Sequence, residues 1–228
     1  MAMARTARVT SGRAAEDARK PPGTPPAPAP YHHGSLRQAL LRAAEHILEH
    51  DGVQGLTLRA AAREAGVSHA APKNHFGDIK GLLSDLAAVG FERLAGTMRA
   101  NVHADDEPRA RMSALGQGYI AFARANPGLF LLMFRGERLD VTRPALRTAM
   151  DAAFGLLSGT VTESENSPGE AKLTLSRAAR IAGAWSLVHG LSMLLLDGRL
   201  KPLISGLPAG TDDAALVVAI FSASDPDR

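Results

Sequence analysis

Apolar positions recur along this chain at helical intervals. Leu36, Leu40, Ala43 and Ile47, with Leu48 beside them, trace one face of a helix expected from Ser35 to Glu49. Ser35 is placed to cap it and Asp51-Gly52 to close it. Leu58, Ala61, Ala62 and Ala65 mark a second, short helix from Thr57. Ile79, Leu82, Leu83, Leu86, Val89 and Leu94 keep an apolar stripe along a long one. After the polar break at Asp105 to Pro108, Met112, Leu115, Tyr119, Ile120 and Phe122 run along another helix, until Asn126-Pro127 breaks it. Leu129 to Phe134 is continuously apolar and too short to type by its period, but its neighbours are helical. Arg143-Pro144 opens a helix carrying Leu146, Met150, Ala153, Phe154, Leu157 and Val161, and a loop is expected at Ser164 to Gly169. Ala171 to Leu196 follows, its most apolar run at Ile181 to Leu196, and Gly198 ends it. A last helix runs from Asp212 to Phe221, with Thr211 or Asp212 as its cap. The expected fold class is all-α.

The stretch from Leu56 to Phe76, LTLRAAAREAGVSHAAPKNHF, organises the rest. Thr57 can cap the short helix, and Gly66 can end it in the left-handed conformation while Val67 tucks under the turn. Ser68 is a candidate cap for a helix from His69 towards Phe76, whose first turn tolerates Pro72. Two short helices across a tight Gly turn make a helix-turn-helix, whose second helix enters the DNA major groove. The same pattern also occurs in compact helical hairpins with no DNA partner.

The run from Ser35 to Leu83 supplies the context that favours the DNA-binding reading. LRQALLRAAEHILEHDGVQGLTLRAAAREAGVS, then HF and IKGLL, resembles the DNA-binding domain of the TetR/AcrR family of bacterial transcription regulators. Trp185, His189 and Gly190 resemble the C-terminal domain of a subgroup named for a Trp-His-Gly pattern. The family usually carries an aromatic where this chain has Lys73, which can supply the same phosphate contact by charge. The resemblance implies a DNA-binding domain at 35–82 and a helical effector-binding and dimerisation domain at 83–228. It also implies a homodimer through a four-helix interface, a palindromic operator, an unidentified small-molecule effector and, most often, repression. Lys80 falls where the family reaches a DNA phosphate, and the long helix from Ile79 becomes the transmission element.

Charge agrees in its placement more than its size. The net charge is +3. Residues 1–34 hold five basic residues against two acidic, 35–82 six against five, and the remainder fifteen against sixteen. The excess thus lies in the arm and the DNA-binding unit, where phosphates would face it. Residues 1–34 are Pro-rich and lack apolar periodicity, so a solvated basic arm is expected. No cysteine is present, which removes disulfides and thiolate metal sites and fits a reducing cytoplasm. The N-terminus lacks a secretory core, and the Ile181–Leu196 run is short for a bilayer, so a buried helix and no membrane are expected.

Candidate chemistry is sparse. No Gly-rich phosphate loop, HExxH or nucleophile elbow is present, so no catalytic residue, metal or cofactor is assigned. His46 and His50 share a face but lack a third ligand. The DNA-contact candidates are His69, Ala70, Lys73 and Asn74 for bases, and Thr57, Ser68, His75 and Lys80 for phosphates. Pocket candidates are Met112, Tyr119, Phe122, Phe130, Phe134, Met150, Phe154, Trp185 and His189, although an ordinary core has the same composition. Two rivals stand beside the regulator. One is a helical ligand-binding or protein-interaction module with little DNA affinity. The other is a helical enzyme using His189 with an acidic partner such as Asp197.

Overall fold

The computed structural model describes residues 33–163 and 173–223, so most of the expected arm and the loop at 164–169 lie outside the described residues. Among the described residues the regular structure is helical: α1 (His33–Gly55), α2 (Leu58–Glu64), α3 (Ala71–Phe76), α4 (Ile79–Arg99), α5 (Pro108–Ala125), α6 (Pro127–Met133), α7 (Pro144–Glu163), α8 (Leu175–Leu196), α9 (Lys201–Ser205) and α10 (Asp213–Ala223), with a 3-10 turn at Gly136–Arg138. The all-α expectation therefore holds.

Local chemistry explains most boundaries. Thr57 Oγ1 accepts from the Ala60 N–H at 3.0 Å and caps α2. Gly66, at φ 66°, ends it, and the Val67 N–H returns to the Ala62 carbonyl at 3.0 Å. Asp78 caps α4 through the Gly81 N–H, and Asp212 caps α10 through the Ala215 N–H, each at 2.8 Å. Pro108, Pro127 and Pro144 each sit at the first position of their helices, where a missing N–H costs nothing.

Three expectations change, and the run left untyped takes a definite form. α1 begins at His33, so Ser35 lies inside its first turn instead of capping it, and the helix continues to Gly55 across a break at Gly52. That break has φ 69°, which glycine tolerates. α3 begins at Ala71 with no side chain capping it, and His69 and Ala70 form the preceding turn, closed by the Ala71 N–H on the Ser68 carbonyl. The apolar run is helical from Leu129 to Met133, within α6, with Phe134 just past its end; α6 borrows its cap from α1, where Glu49 accepts from the Gly128 and Leu129 N–H groups at 3.3 and 3.1 Å. Finally, α8 is not wholly buried. Ile181, Val188, Leu191 and Ser192 pack inward, while Trp185, Leu187 and Leu194 are exposed. By length and hydropathy it is the helix among the described residues that could cross a bilayer.

The main core joins α1 to α8, and a smaller cluster of Ile120, Leu191 and Val217 seats α10 on α5 and α8. The main core runs from Leu40, Ala44 and Leu48 of α1 through Leu82, Leu86 and Phe91 of α4 to Phe122, Phe130, Leu146 and Val188. α4 contributes inward residues on several faces, since α1, α3, α5, α6 and α7 all pack on it. The position 82/83 lies within this unbroken helix.

Candidate functional site

Two regions hold the residues singled out by sequence. The first is the surface around α3. Ala71, Pro72 and Phe76 are buried against the core, which leaves the other side of this short helix to solvent. Ser68, His69, Ala70, Lys73, Asn74 and Lys80 are exposed, as is Thr57, and His75 is half-buried. The burial pattern follows from composition, because the small and aromatic residues turn inward and the polar ones outward. The seat of α3 is tight. A Cβ on Gly81 would lie 2.0 Å from the Phe76 carbonyl oxygen, so only glycine lets α4 pass the end of α3.

The second region is a cavity of about 340 Å³ between α4, α5, α7 and α8, within the range of small-molecule sites. Of the pocket candidates it brings together Tyr119, Phe134, Met150, Phe154 and Trp185. Met112, Phe122, Phe130 and His189 do not line it. Phe122 and Phe130 are core residues, at 1% and 0% exposure, and no spacing signal separates them from their cavity-facing neighbours. The cavity also takes Phe91, Leu94, Met98, Leu139 and Val141, which sequence reasoning did not select. Among the described residues, Asp151 is the one charged side chain on its wall.

His189 stands behind this wall. Its Nδ1 is 3.0 Å from the Tyr119 hydroxyl oxygen in a hydrogen bond, and its ring packs against Phe130 and Phe134. Burial pushes the imidazole below its ordinary 6.5. Burial likewise pushes the Tyr119 hydroxyl far up, with Trp185 opposing weakly, so the pair is neutral at pH 7. Because the unfolded chain then binds the proton more readily, His189 contributes stability above about pH 6.5 and loses it as pH falls through its depressed value. His189→Gln should flatten the fall of denaturation midpoint between pH 7.5 and 5, and an unchanged slope would remove this assignment. Asp197 is bonded to Arg199 instead, at 3.4 Å, so the His189–Asp197 pair of the enzyme reading does not form.

A third cluster was not foreseen. Asp85, 4% exposed in α4, accepts from Arg37 Nη2 of α1 at 2.8 Å and from Arg143 Nε, just before α7, at 3.0 Å. The Arg37 guanidinium also lies 5.8 Å from the centre of the Phe76 ring. Beside it, the Asp140 N–H donates to Ser84 Oγ at 2.8 Å, and the Ser84 hydroxyl donates to the Lys80 carbonyl at 2.7 Å. Thr142 bonds hold the Asp140 carboxyl below its usual range, with Lys80 and Arg143 adding to the effect. His46 pairs with Glu64 at 2.9 Å, and among the described residues no cluster of metal ligands forms.

Comparison with known proteins agrees with this architecture. Residues 112–217 match the family described as the tetracyclin repressor-like C-terminal domain. The chain is 24% identical over 165 residues to YobS, an uncharacterized HTH-type transcriptional regulator of Bacillus subtilis (strain 168), covering 71% of this chain and 80% of YobS. It is 23% identical over 170 residues to the nucleoid occlusion factor SlmA of Marinobacter nauticus, covering 75% of this chain and 84% of that protein. A solved protein of unknown function from Rhodococcus sp. RHA1 is 37% identical, with a TM-score of 0.68 over 85% of this chain and 95% of its own. The TetR-family transcriptional regulator PfmR of Thermus thermophilus shares the fold at 17% identity, with a TM-score of 0.54 over 80% of this chain and 94% of its own. With its helix-turn-helix and its helical C-terminal domain, the chain belongs to the TetR family of transcription regulators.

Proposed function

We propose that this protein is a ligand-responsive repressor that binds a palindromic operator as a homodimer in the cytoplasm. One observation carries the reading: α3 buries Ala71, Pro72 and Phe76 and leaves Lys73 and Asn74 exposed, as are His69 and Ala70 in the turn before it. Residues 35–82 read DNA, 83–228 hold effector and partner, and α4 belongs to both. Asn74 suits adenine, Lys73 guanine and Ala70 a thymine methyl. Thr57, Ser68, His75 and Lys80 position phosphates; the Thr57 oxygen is occupied as a cap, but its hydroxyl hydrogen can still be donated. Selection of random duplexes by the purified protein tests this. A palindrome should be enriched, with half-sites about one helical turn apart or slightly more. If no sequence is enriched at low salt by a confirmed dimer, the fold is serving as a binding module without operator reading.

Homodimerisation is supported by what α8 and α10 leave uncovered. Leu187 and Leu194 on α8 and Val218 on α10 are exposed large apolar side chains. A Cβ on Gly183 or Gly190 would meet nothing within 4 Å, so the chain's own packing requires neither glycine there. Each costs α8 about 1 kcal/mol relative to alanine, a cost that close approach of a second helix explains.

The cavity fits an apolar effector without an anionic group. Among the described residues its wall carries no lysine or arginine to pair a carboxylate, and its single charge is negative. Trp185, the sole tryptophan, lies on that wall, so its fluorescence reports occupancy directly. Three probes with the same chain separate the chemistry: decanol and decylamine should bind, and decanoate should bind at least ~30-fold more weakly. Equal or tighter binding of decanoate would overturn the assignment.

A further inference from the structure

The cavity and the DNA-reading helices share a short segment. Leu139 and Val141 line the cavity, and Leu139 is 3% exposed. Between them, Asp140 is bonded through its N–H to Ser84 of α4. Two residues beyond Val141, Arg143 holds one oxygen of Asp85. The other oxygen of that carboxylate is held by Arg37 of α1, whose guanidinium lies against Phe76 of α3. Five consecutive residues therefore span the distance from cavity wall to a buried carboxylate that also fixes the helices around α3. A backbone displacement at Leu139 or Val141 would strain the Asp140–Ser84 and Arg143–Asp85 bonds, because the segment between them is only five residues long. Arg143 cannot withdraw without leaving the 4%-exposed Asp85 with one partner in place of two, an arrangement that favours two discrete states over a continuum.

We infer that the Leu139–Arg143 segment is the element by which cavity occupancy is transmitted to α1 and α3, with Asp85 as the positioning residue that joins the two. The inference rests on the effector-cavity reading above and adds its route. It separates Asp85 from a second ion pair between the same helices, Arg93 of α4 with Glu45 of α1, which touches no part of the segment. A bridge that merely fastens α1 to α4 would behave like Arg93–Glu45. A transmitting bridge would not.

The test is amide hydrogen exchange on the full-length protein, read in peptides covering residues 36–48 and 71–76. Leu139→Ala, which removes the buried wall of the segment, should raise exchange there by about fivefold or more. In an Asp85→Asn background the same change should add little, since the link is already cut. In an Arg93→Gln background it should add in full. Arg143→Gln provides a second cut that leaves Arg37–Asp85 paired, and it should suppress the Leu139→Ala effect as Asp85→Asn does, including where Asp85→Asn fails to fold. The inference is overturned if Leu139→Ala leaves α1 and α3 unchanged, if its effect persists in both cut backgrounds, or if the Arg93→Gln cycle is equally non-additive. The measurement needs no DNA. Failure to enrich an operator would sink the regulator reading and leave this test standing, while additivity would sink the transmission route alone.

Discussion

Phe130→Ala should lower unfolding free energy by about 3–5 kcal/mol, the range for truncating a buried aromatic. Phe130 is 0% exposed. It meets Tyr119 edge-on at 5.7 Å, Phe134 at 5.0 Å and His189 at 5.5 Å between ring centres. Little around it can collapse into the space, because α4, α5 and α6 are held by other core contacts. Phe154 makes the opposite case. It is 45% exposed on the cavity wall, so Phe154→Ala should stay within about 1 kcal/mol of wild type while weakening decanol binding. Urea denaturation of the two variants separates a core aromatic from a site aromatic. Similar losses would mean that the division drawn between core and cavity is wrong.

If the chain forms the proposed homodimer, Leu187→Glu combined with Val218→Glu should convert it to monomers and weaken binding to the proposed operator at least ~100-fold. Both positions are exposed, at 36% and 51%, so the single chain tolerates charge there. Within the proposed four-helix interface the same charges would be desolvated without partners, and each carries a large penalty. A monomer then holds only one half-site and forfeits the effective concentration that links the two, which accounts for the loss in affinity. Sedimentation at the concentrations used for binding reads the first effect and titration of the enriched duplex the second. A variant that remains dimeric would place the interface elsewhere.

Much of the fold was legible because its boundaries are set locally. Thr57, Gly66, Pro108, Pro127, Pro144 and Gly198 each act within a turn of their own position, and each marks the boundary its chemistry implies. Ser68 shows where local reading fails. A serine before a helical run is a cap only if the helix starts next to it, and here the turn at His69 and Ala70 delays the start to Ala71. Glu49 and Asp85 were illegible for another reason. Their partners lie 79 and 48 residues away in sequence, and no periodicity joins a carboxylate in one helix to a helix end or a guanidinium in another. The cavity was half legible. Aromatic and Met residues of α5, α6 and α7 were named as candidates, but Phe122 and Phe130 have the same composition and spacing as residues that face the cavity. Only the tertiary packing of α4 decides which side each one turns to. On α8 the apolar run suggested a buried helix, whereas one face is uncovered in the single chain.

The measurement that tests the central claim most directly is a base-by-base preference profile for wild type, Asn74→Ala and Lys80→Ala on the enriched duplex. Asn74 is exposed on α3 and is assigned to a base edge, while Lys80 at the start of α4 is assigned to a phosphate. The account predicts that Asn74→Ala loses preference at one symmetry-related pair of positions, with a cost of about 1–3 kcal/mol there. Lys80→Ala should weaken all sequences alike and reduce the salt dependence by about one ion. Identical profiles for wild type and Asn74→Ala would contradict the claim that α3 reads the operator.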